Sequence, residues 1–158
     1  MEQKWLKQIP REKGWYISGF VDGEGSFNVS LVKREDYRLK WRVVPIFNVS
    51  QRDITMLFLM KKYLCCGRIQ HRKDGLHMYI VENLTAIRER VIPFFKKFNF
   101  LSSKTKTNFS IFCQIVVLLD RDGRLEKDEF IKICELREKL NEGRGRTRKY
   151  NLSDIKKS

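Results

Sequence analysis

Apolar residues change their spacing several times along the chain, and each change marks an element. After Pro10, which suits the start of a helix, Trp15, Ile17, Ser18, Phe20 and Val21 carry a helix to about Asp22 that is apolar nearly all round. Such a helix is normally covered on more than one side, for example by its own domain and by a partner. The period then falls to two, with Phe27, Val29 and Leu31 alternating with Ser26, Asn28 and Ser30, as a half-buried strand requires. The charged residues 33–36 read as a hairpin connection to a second strand with Leu39, Trp41, Val43, Phe47 and Val49 on one face. Its other face carries Arg38, Lys40, Arg42 and Asn48. Joined by Asn28 and Ser30, it is either a cationic DNA platform or an ordinary solvated sheet surface.

Ser50 followed by Asp53 resembles a capping box opening a helix over 52–64, ended by Gly67. A second hairpin follows, with Arg68, Gln70 and Arg72 alternating around Ile69, a turn at Lys73, Asp74 and Gly75, and a strand over 76–81. Beyond Asn83 the period is helical, over 85–98, 105–119 and 127–141. The predicted class is α+β in the order helix, two strands, helix, two strands, helices. Residues 1–142 read as one domain and 143–158 as a basic tail, whose cationic stretch 143–149 either lies along phosphates or is disordered.

Composition narrows the partner. At 158 residues and 42% hydrophobic content the chain can bury one substantial core, and its net charge of +14, from 33 Lys and Arg against 19 Asp and Glu, calls for a polyanion. Nucleic acid is preferred to a membrane, because no apolar run approaches a bilayer span and the basic residues recur along the whole chain. No signal peptide or lipidation motif is read, so an intracellular setting is expected, in a bacterial or archaeal cytoplasm or an organelle. Cys65, Cys66, Cys113 and Cys134 lack zinc-ribbon spacing and have only His71 and His77 as imidazole partners, so they read as buried reduced thiols.

The chemistry concentrates in Ile17-Ser18-Gly19-Phe20-Val21-Asp22-Gly23-Glu24-Gly25, between the first helix and the first strand. Gly19 and Gly23, four apart, share one helix face and let a second helix approach at nearly backbone contact, while Gly25 permits a sharp exit into the strand. Glu24 is expected just beyond the helix, where two packed helices would bring two carboxylates together. Paired carboxylates with backbone carbonyls make a hard-oxygen site suited to magnesium.

This nonapeptide resembles the signature of the LAGLIDADG homing endonucleases, and the predicted order of elements is similar over nearly the whole chain. The resemblance implies an antiparallel four-stranded DNA-binding saddle in each subunit with helices on its other face. It makes Glu24 the metal-binding carboxylate, in place of the family's more frequent Asp, Gly23 the position whose carbonyl also binds metal, and Asp22 a structural acid near the helix end. Phe47-Asn48-Val49-Ser50-Gln51-Arg52 looks like the end of the second platform strand in single-motif members, which makes Gln51 the residue that orders active-site water. Ser103-Lys104-Thr105-Lys106-Thr107-Asn108-Phe109 resembles the family's basic run, in which Lys104, or alternatively Lys106, stabilises charge near the scissile phosphate. A single motif implies a homodimer packed through Gly19, Phe20 and Gly23. Two copies of Glu24 would then cut both strands of a palindromic or nearly palindromic DNA target, with Mg2+, or Ca2+ or Mn2+ in the same site. Matching strand positions makes Asn28, Ser30, Arg38, Lys40, Arg42, Asn48, Gln70 and Arg72 candidate DNA contacts, with Arg34 at the hairpin tip and Lys106 beside them.

Two other readings compete. Asp120, Asp122, Gly123, Leu125 and Glu129 fall on places of an EF-hand loop, but its first place is Leu118, and a polar turn between helices suffices. A non-cleaving DNA regulator or an RNA-binding maturase would use the same basic platform, yet has no need of a carboxylate beside phosphates.

Overall fold

A computed structural model describes residues 2–120, 125–142 and 148–156. The elements run α1 (Lys4–Lys7), α2 (Arg11–Glu24), β1 (Gly25–Lys33), β2 (Trp41–Gln51), α3 (Thr55–Leu64), β3 (Arg68–His71) and β4 (His77–Val81). A helical stretch follows, built of α4 (Leu84–Ala86), a π-helical turn (Ile87–Val91) and α5 (Ile92–Lys97), and then α6 (Ser103–Leu119), α7 (Lys127–Lys139) and α8 (Leu152–Lys156). The strands form one sheet in the order β1-β2-β4-β3, with β4 antiparallel to both its neighbours. The α+β class and the expected alternation of helices and hairpins are both present.

The chain divides into two compact units, Met1–Ser26 with Ile46–Lys106, and Phe27–Pro45 with Thr107–Ser158. In the first, Ile17 and Val21 of α2 are buried, as are Phe47, Leu57, Met60, Leu64 and Tyr79. The Phe47 ring meets Phe95 edge-on at 5.4 Å and Tyr79 at 6.2 Å, a geometry aromatic quadrupoles favour. Gly14 is fixed by packing, because a Cβ there would stand 2.2 Å from the Phe98 ring. One turn on, the Ser18 hydroxyl donates to the Phe98 carbonyl at 2.7 Å, which satisfies a buried polar group. Pro93 lacks an N–H and crowds the preceding turn, and the π-helical turn stands directly upstream of it.

In the second unit, Leu31 and Trp41 pack with Phe130, Cys134 and Ile155, flanked by Leu39, Val43, Leu125, Tyr150 and Leu152. Burial raises the Cys134 thiol to about 11, so it stays protonated and apolar at neutral pH. Arg137 of α7 is buried with hydrogen-bond acceptors in place. Its guanidinium donates to the Val29 carbonyl and the Tyr150 carbonyl, each at 2.7 Å. Burial is the main cause that lowers its pKa, but an arginine remains charged there.

Several boundaries differ from expectation. Glu24 closes α2 instead of following it, and α2 is half-open to solvent, with Trp15 and Tyr16 exposed. The second strand begins at Trp41, so Arg38, Leu39 and Lys40 belong to the hairpin loop, where Lys40 has φ +63°. Charged alternation in a tight loop imitates a strand when read from sequence alone. Ser50 lies inside β2 and caps nothing; α3 starts later, with Asp53 accepting from the Thr55 N–H at 2.9 Å. Leu64 and a left-handed Cys65, not Gly67, end that helix, and the Cys65 side chain is exposed. Of the segment read as a basic tail, Gly143 to Thr147 lie outside the described residues. Arg148 binds the Glu138 carboxylate at 3.2 Å, and Ile155 of α8 is buried. Asp122 and Gly123 of the EF-hand-like turn also lie outside the described residues.

Arg137→Met should remove both carbonyl bonds while keeping most of the volume, and lower stability by about 1–3 kcal/mol, mainly the cost of the buried Val29 acceptor left without a donor. Urea unfolding measures it, and an unchanged midpoint would show that water replaces the guanidinium.

Candidate active site and nucleic-acid interface

The corner where α2 ends is organised by Asp22. Its carboxylate accepts the backbone N–H of Leu101 at 3.2 Å and of Ser102 at 3.0 Å, together with the Ser102 hydroxyl. The same hydroxyl oxygen accepts the Thr105 N–H at 3.3 Å, the bond of a helix N-cap, and the Thr105 hydroxyl returns to the Asp22 carbonyl at 3.2 Å. The negative charge meets the positive end of the α6 dipole. Partial burial pushes the Asp22 carboxyl upward, but the bonds from Ser102, Thr105 and Leu101 outweigh it and hold the pKa below its ordinary value. The last turn of α2 and the first of α6 are therefore one braced structure.

The candidate catalytic residues all lie in the first compact unit. Glu24, two residues beyond Asp22, is exposed, and its carboxylate has no hydrogen bond or ion pair among the described residues. Lys104 and Lys106 flank Thr105 on the first turn of α6, both exposed and likewise without a partner there. Gln51 ends β2. The two acids of the motif have opposite fates: Asp22 is consumed by structure, and Glu24 is left available.

The face of α2 beside them is bare. An added Cβ would meet nothing within 4 Å at Gly19 or at Gly23, and Phe20 between them is half-exposed. Gly25 differs, since a Cβ there would stand 2.5 Å from Val21 Cγ1; it is needed for the exit into β1.

The platform residues divide by their engagements. In the first unit, the register sets Asn48 and Ser50 of β2 on one face with Met78 and Ile80 of β4 and Arg68 and Gln70 of β3. That face mixes apolar and polar groups and is less uniformly cationic than expected. Arg68 pairs with Glu82 at 2.7 Å, and Arg72, just past β3, pairs with Asp74 at 2.9 Å. In the second unit, Arg42 is exposed on β2 and Ser30 is half-buried on β1. Asn28 accepts from Asn141 at 2.9 Å, within a network in which Asn141 also donates to the Phe27 carbonyl at 2.8 Å and accepts from Asn108 at 3.1 Å. In the hairpin loop Arg34 binds Asp36 through two bonds of 2.9 Å, which hold the Asp36 carboxyl below its ordinary value. Arg38 reaches Glu126 at 3.2 Å, and Lys40 reaches Glu35 at 3.6 Å.

The family model described as LAGLIDADG endonuclease matches residues 17–116, a span holding the α2 face, the sheet and the Asp22 brace. The chain belongs to the LAGLIDADG endonuclease family. It is 29% identical over 144 residues to the homing endonuclease I-ApeII of Aeropyrum pernix, covering 90% of this chain and 79% of that one. It is 24% identical over 147 residues to the DNA endonuclease I-CeuI of Chlamydomonas moewusii, covering 89% and 67%. Among solved structures, the archaeal intron-encoded homing endonuclease I-Vdi141I complexed with DNA superposes with a TM-score of 0.83 at 29% identity, over 91% of this chain and 92% of that one. The homing endonuclease I-TnaI gives 0.77 at 26% identity, over 94% and 96%.

For a LAGLIDADG chain the brace has a testable role. Asp22→Asn keeps the shape but weakens the acceptor and its charge, and cleavage should slow about ten- to a hundredfold through misplacement of the α6 lysines, with DNA affinity in calcium nearly unchanged. An equal loss in affinity and rate would mean that the brace supports folding alone. Because the folded pKa is depressed, the stabilisation by Asp22 is full above the ordinary carboxyl value of 3.8 and is lost as the pH falls through the lower folded value.

Proposed function

We propose that two copies of this chain assemble through α2 and cut both strands of a long palindromic or nearly palindromic DNA site by metal-dependent phosphodiester hydrolysis. The observation that carries this reading is the unengaged Glu24 carboxylate beside the bare Gly19 and Gly23 face. A strongly basic protein has no electrostatic reason to leave an acid free where phosphates approach, unless a cation comes with them.

The donor set fits a hard divalent ion, since Glu24 offers carboxylate oxygens and Gly23 a backbone carbonyl. When bound there, Mg2+, with Ca2+ or Mn2+ as occupants of the same site, supplies positive charge that acidifies water and stabilises the departing oxygen. Gln51 orders the attacking water through its side-chain amide. Lys104, or alternatively Lys106, places an ammonium against the charge that grows on the phosphate. Arg42, Asn48, Ser50 and Gln70 offer donors and acceptors to the duplex, and the paired arginines Arg34, Arg38 and Arg72 exchange a carboxylate for a phosphate as the DNA arrives. The solved relative I-Vdi141I is complexed with DNA, which supports the duplex as the substrate here.

An isologous contact through α2 brings two Glu24 residues to a twofold axis, and hence the palindrome. Gly19→Leu separates this from a monomeric reading. An added Cβ there meets nothing within 4 Å among the described residues, so the fold should persist by circular dichroism, while sedimentation should report half the parent mass. Parent mass retained in Gly19→Leu would place the dimer contact elsewhere.

Cleavage of a randomised palindromic library with magnesium, calcium or EDTA tests the chemistry. The natural chain should make specific double-strand breaks only with a supporting metal. Glu24→Gln should bind equally and cut at least about a thousandfold more slowly, a loss of several kcal/mol of charge stabilisation. Specific binding without cutting under every metal condition would favour a regulator or a maturase.

A further inference from the structure

The chain has two histidines, and the fold sets them against each other. His71 ends β3 and His77 begins β4, and they are direct partners in the antiparallel register. Their Nδ1 atoms stand 2.8 Å apart, with ring centroids 4.9 Å apart and planes crossed at 80°. We propose that His71 and His77 form a surface chelate for a borderline transition-metal ion of the Zn2+, Ni2+ or Cu2+ class, distinct from the oxygen-donor site at Glu24.

Ligand chemistry comes first. Neutral imidazole suits these ions, whereas magnesium and calcium prefer oxygen. Geometry agrees. Two nitrogens each about 2.0–2.1 Å from one ion stand about 2.9–3.4 Å apart, so a small opening of the two rings admits the metal in place of the proton that the two Nδ1 atoms share. As the ion binds, that proton moves through solvent to Nε2 of the same ring, so each imidazole stays neutral and presents Nδ1 to the metal.

The backbone is already set for the chelate. Between the histidines, the Arg72 N–H donates to the Leu76 carbonyl at 2.9 Å and the Gly75 N–H to the Arg72 carbonyl at 3.2 Å. Gly75 takes the left-handed conformation the turn needs, at φ +81°, and Asp74 accepts from the Leu76 N–H at 3.2 Å. The register is thus fixed before any metal arrives, and little chain entropy is lost on binding. Among the described residues no third His, Cys, Asp or Glu completes a cluster, so water fills the remaining positions and the affinity is that of a two-nitrogen chelate.

The site adjoins the catalytic corner. Gln51 is the direct partner of His77 across β2 and β4, and therefore shares its face of the sheet at cross-strand distance. An ion on the histidines competes for the Gln51 amide oxygen, and so slows cleavage. This consequence rests on the role given to Gln51 above, whereas metal binding does not.

The test is calorimetric titration of the full chain with zinc chloride in saturating magnesium, which fills the oxygen site. One Zn2+ per chain is expected, weakened at least tenfold in His71→Ala and in His77→Ala and unchanged in Cys65→Ser, which controls for the exposed thiol. Cu2+ added to the natural chain should give an electron-spin spectrum with nitrogen coupling that both histidine variants lose. Histidine variants that bind like the parent, or a loss that follows Cys65→Ser, would overturn the proposal. Zinc should slow DNA cutting by the natural chain but not by His77→Ala, and inhibition persisting in His77→Ala would overturn the link to Gln51. A chain that never cuts DNA fails the nuclease reading and leaves the titration to decide the chelate.

Discussion

The site depends on one carboxylate that does no chemistry. Asp22 satisfies the backbone N–H groups of Leu101 and Ser102, which precede α6, and receives the Ser102 hydroxyl that caps that helix. Without it those donors would need water, and the first turn of α6 would rely on the Thr105 bond to the Asp22 carbonyl for its tie to the last turn of α2. Lys104 and Lys106 ride on the braced turn, and Glu24 stands two residues from the brace. A carboxylate and two ammonium groups left to attract one another directly would form ion pairs. Here the brace fixes the backbone that carries them, and they stay unpaired among the described residues.

The rest of the charge follows a different rule. Arg34, Arg38, Lys40, Arg68 and Arg72 each have an acidic partner within 4 Å, and all five pairs are exposed. Exposed pairs of this kind contribute little to stability. Their effect is on orientation: each side chain is held to one region of surface. A net charge of +14 would otherwise leave these groups splayed and mutually repelled. Arg137 shows the contrast, because its partners are backbone carbonyls, one in a buried bond and one in a part-buried bond.

Much of this was legible in sequence where one physical cause dominated. The period of two in Phe27, Val29 and Leu31 identifies β1, because one face is buried and the other is not. The helical spacing of Ile17 and Val21 identifies α2, because both are buried on its inner face. Legibility failed where tertiary context outweighed local pattern. Arg38 and Lys40 alternate like strand residues, yet the left-handed Lys40 belongs to the turn. The short α1 and α8 carry too few apolar residues to give a period, and they form because Leu6 and Ile155 find cores to enter. The meeting of His71 and His77 required the hairpin register, which the sequence suggests only through Asp74-Gly75. Asp22 read as a structural acid, but its partners lie some eighty positions away and leave no local trace.

Gly19 and Gly23 pose an energetic question that the isolated chain does not answer. Each costs an exposed helix about 1 kcal/mol relative to alanine, and neither is needed to fit any neighbour within its own chain. Gly14 and Gly25 of the same helix region are different, because packing against Phe98 and Val21 excludes a side chain at those positions. Two glycines are thus explained from within and two are not. The unexplained two share a face, flank the half-exposed Phe20 and lead to the unpaired Glu24. A second α2 packed on that face would offset the conformational cost through close backbone approach and bury the phenyl ring. The same contact would give Glu24 a symmetric counterpart, and two unpaired carboxylates brought together repel unless a cation stands between them or one takes up a proton.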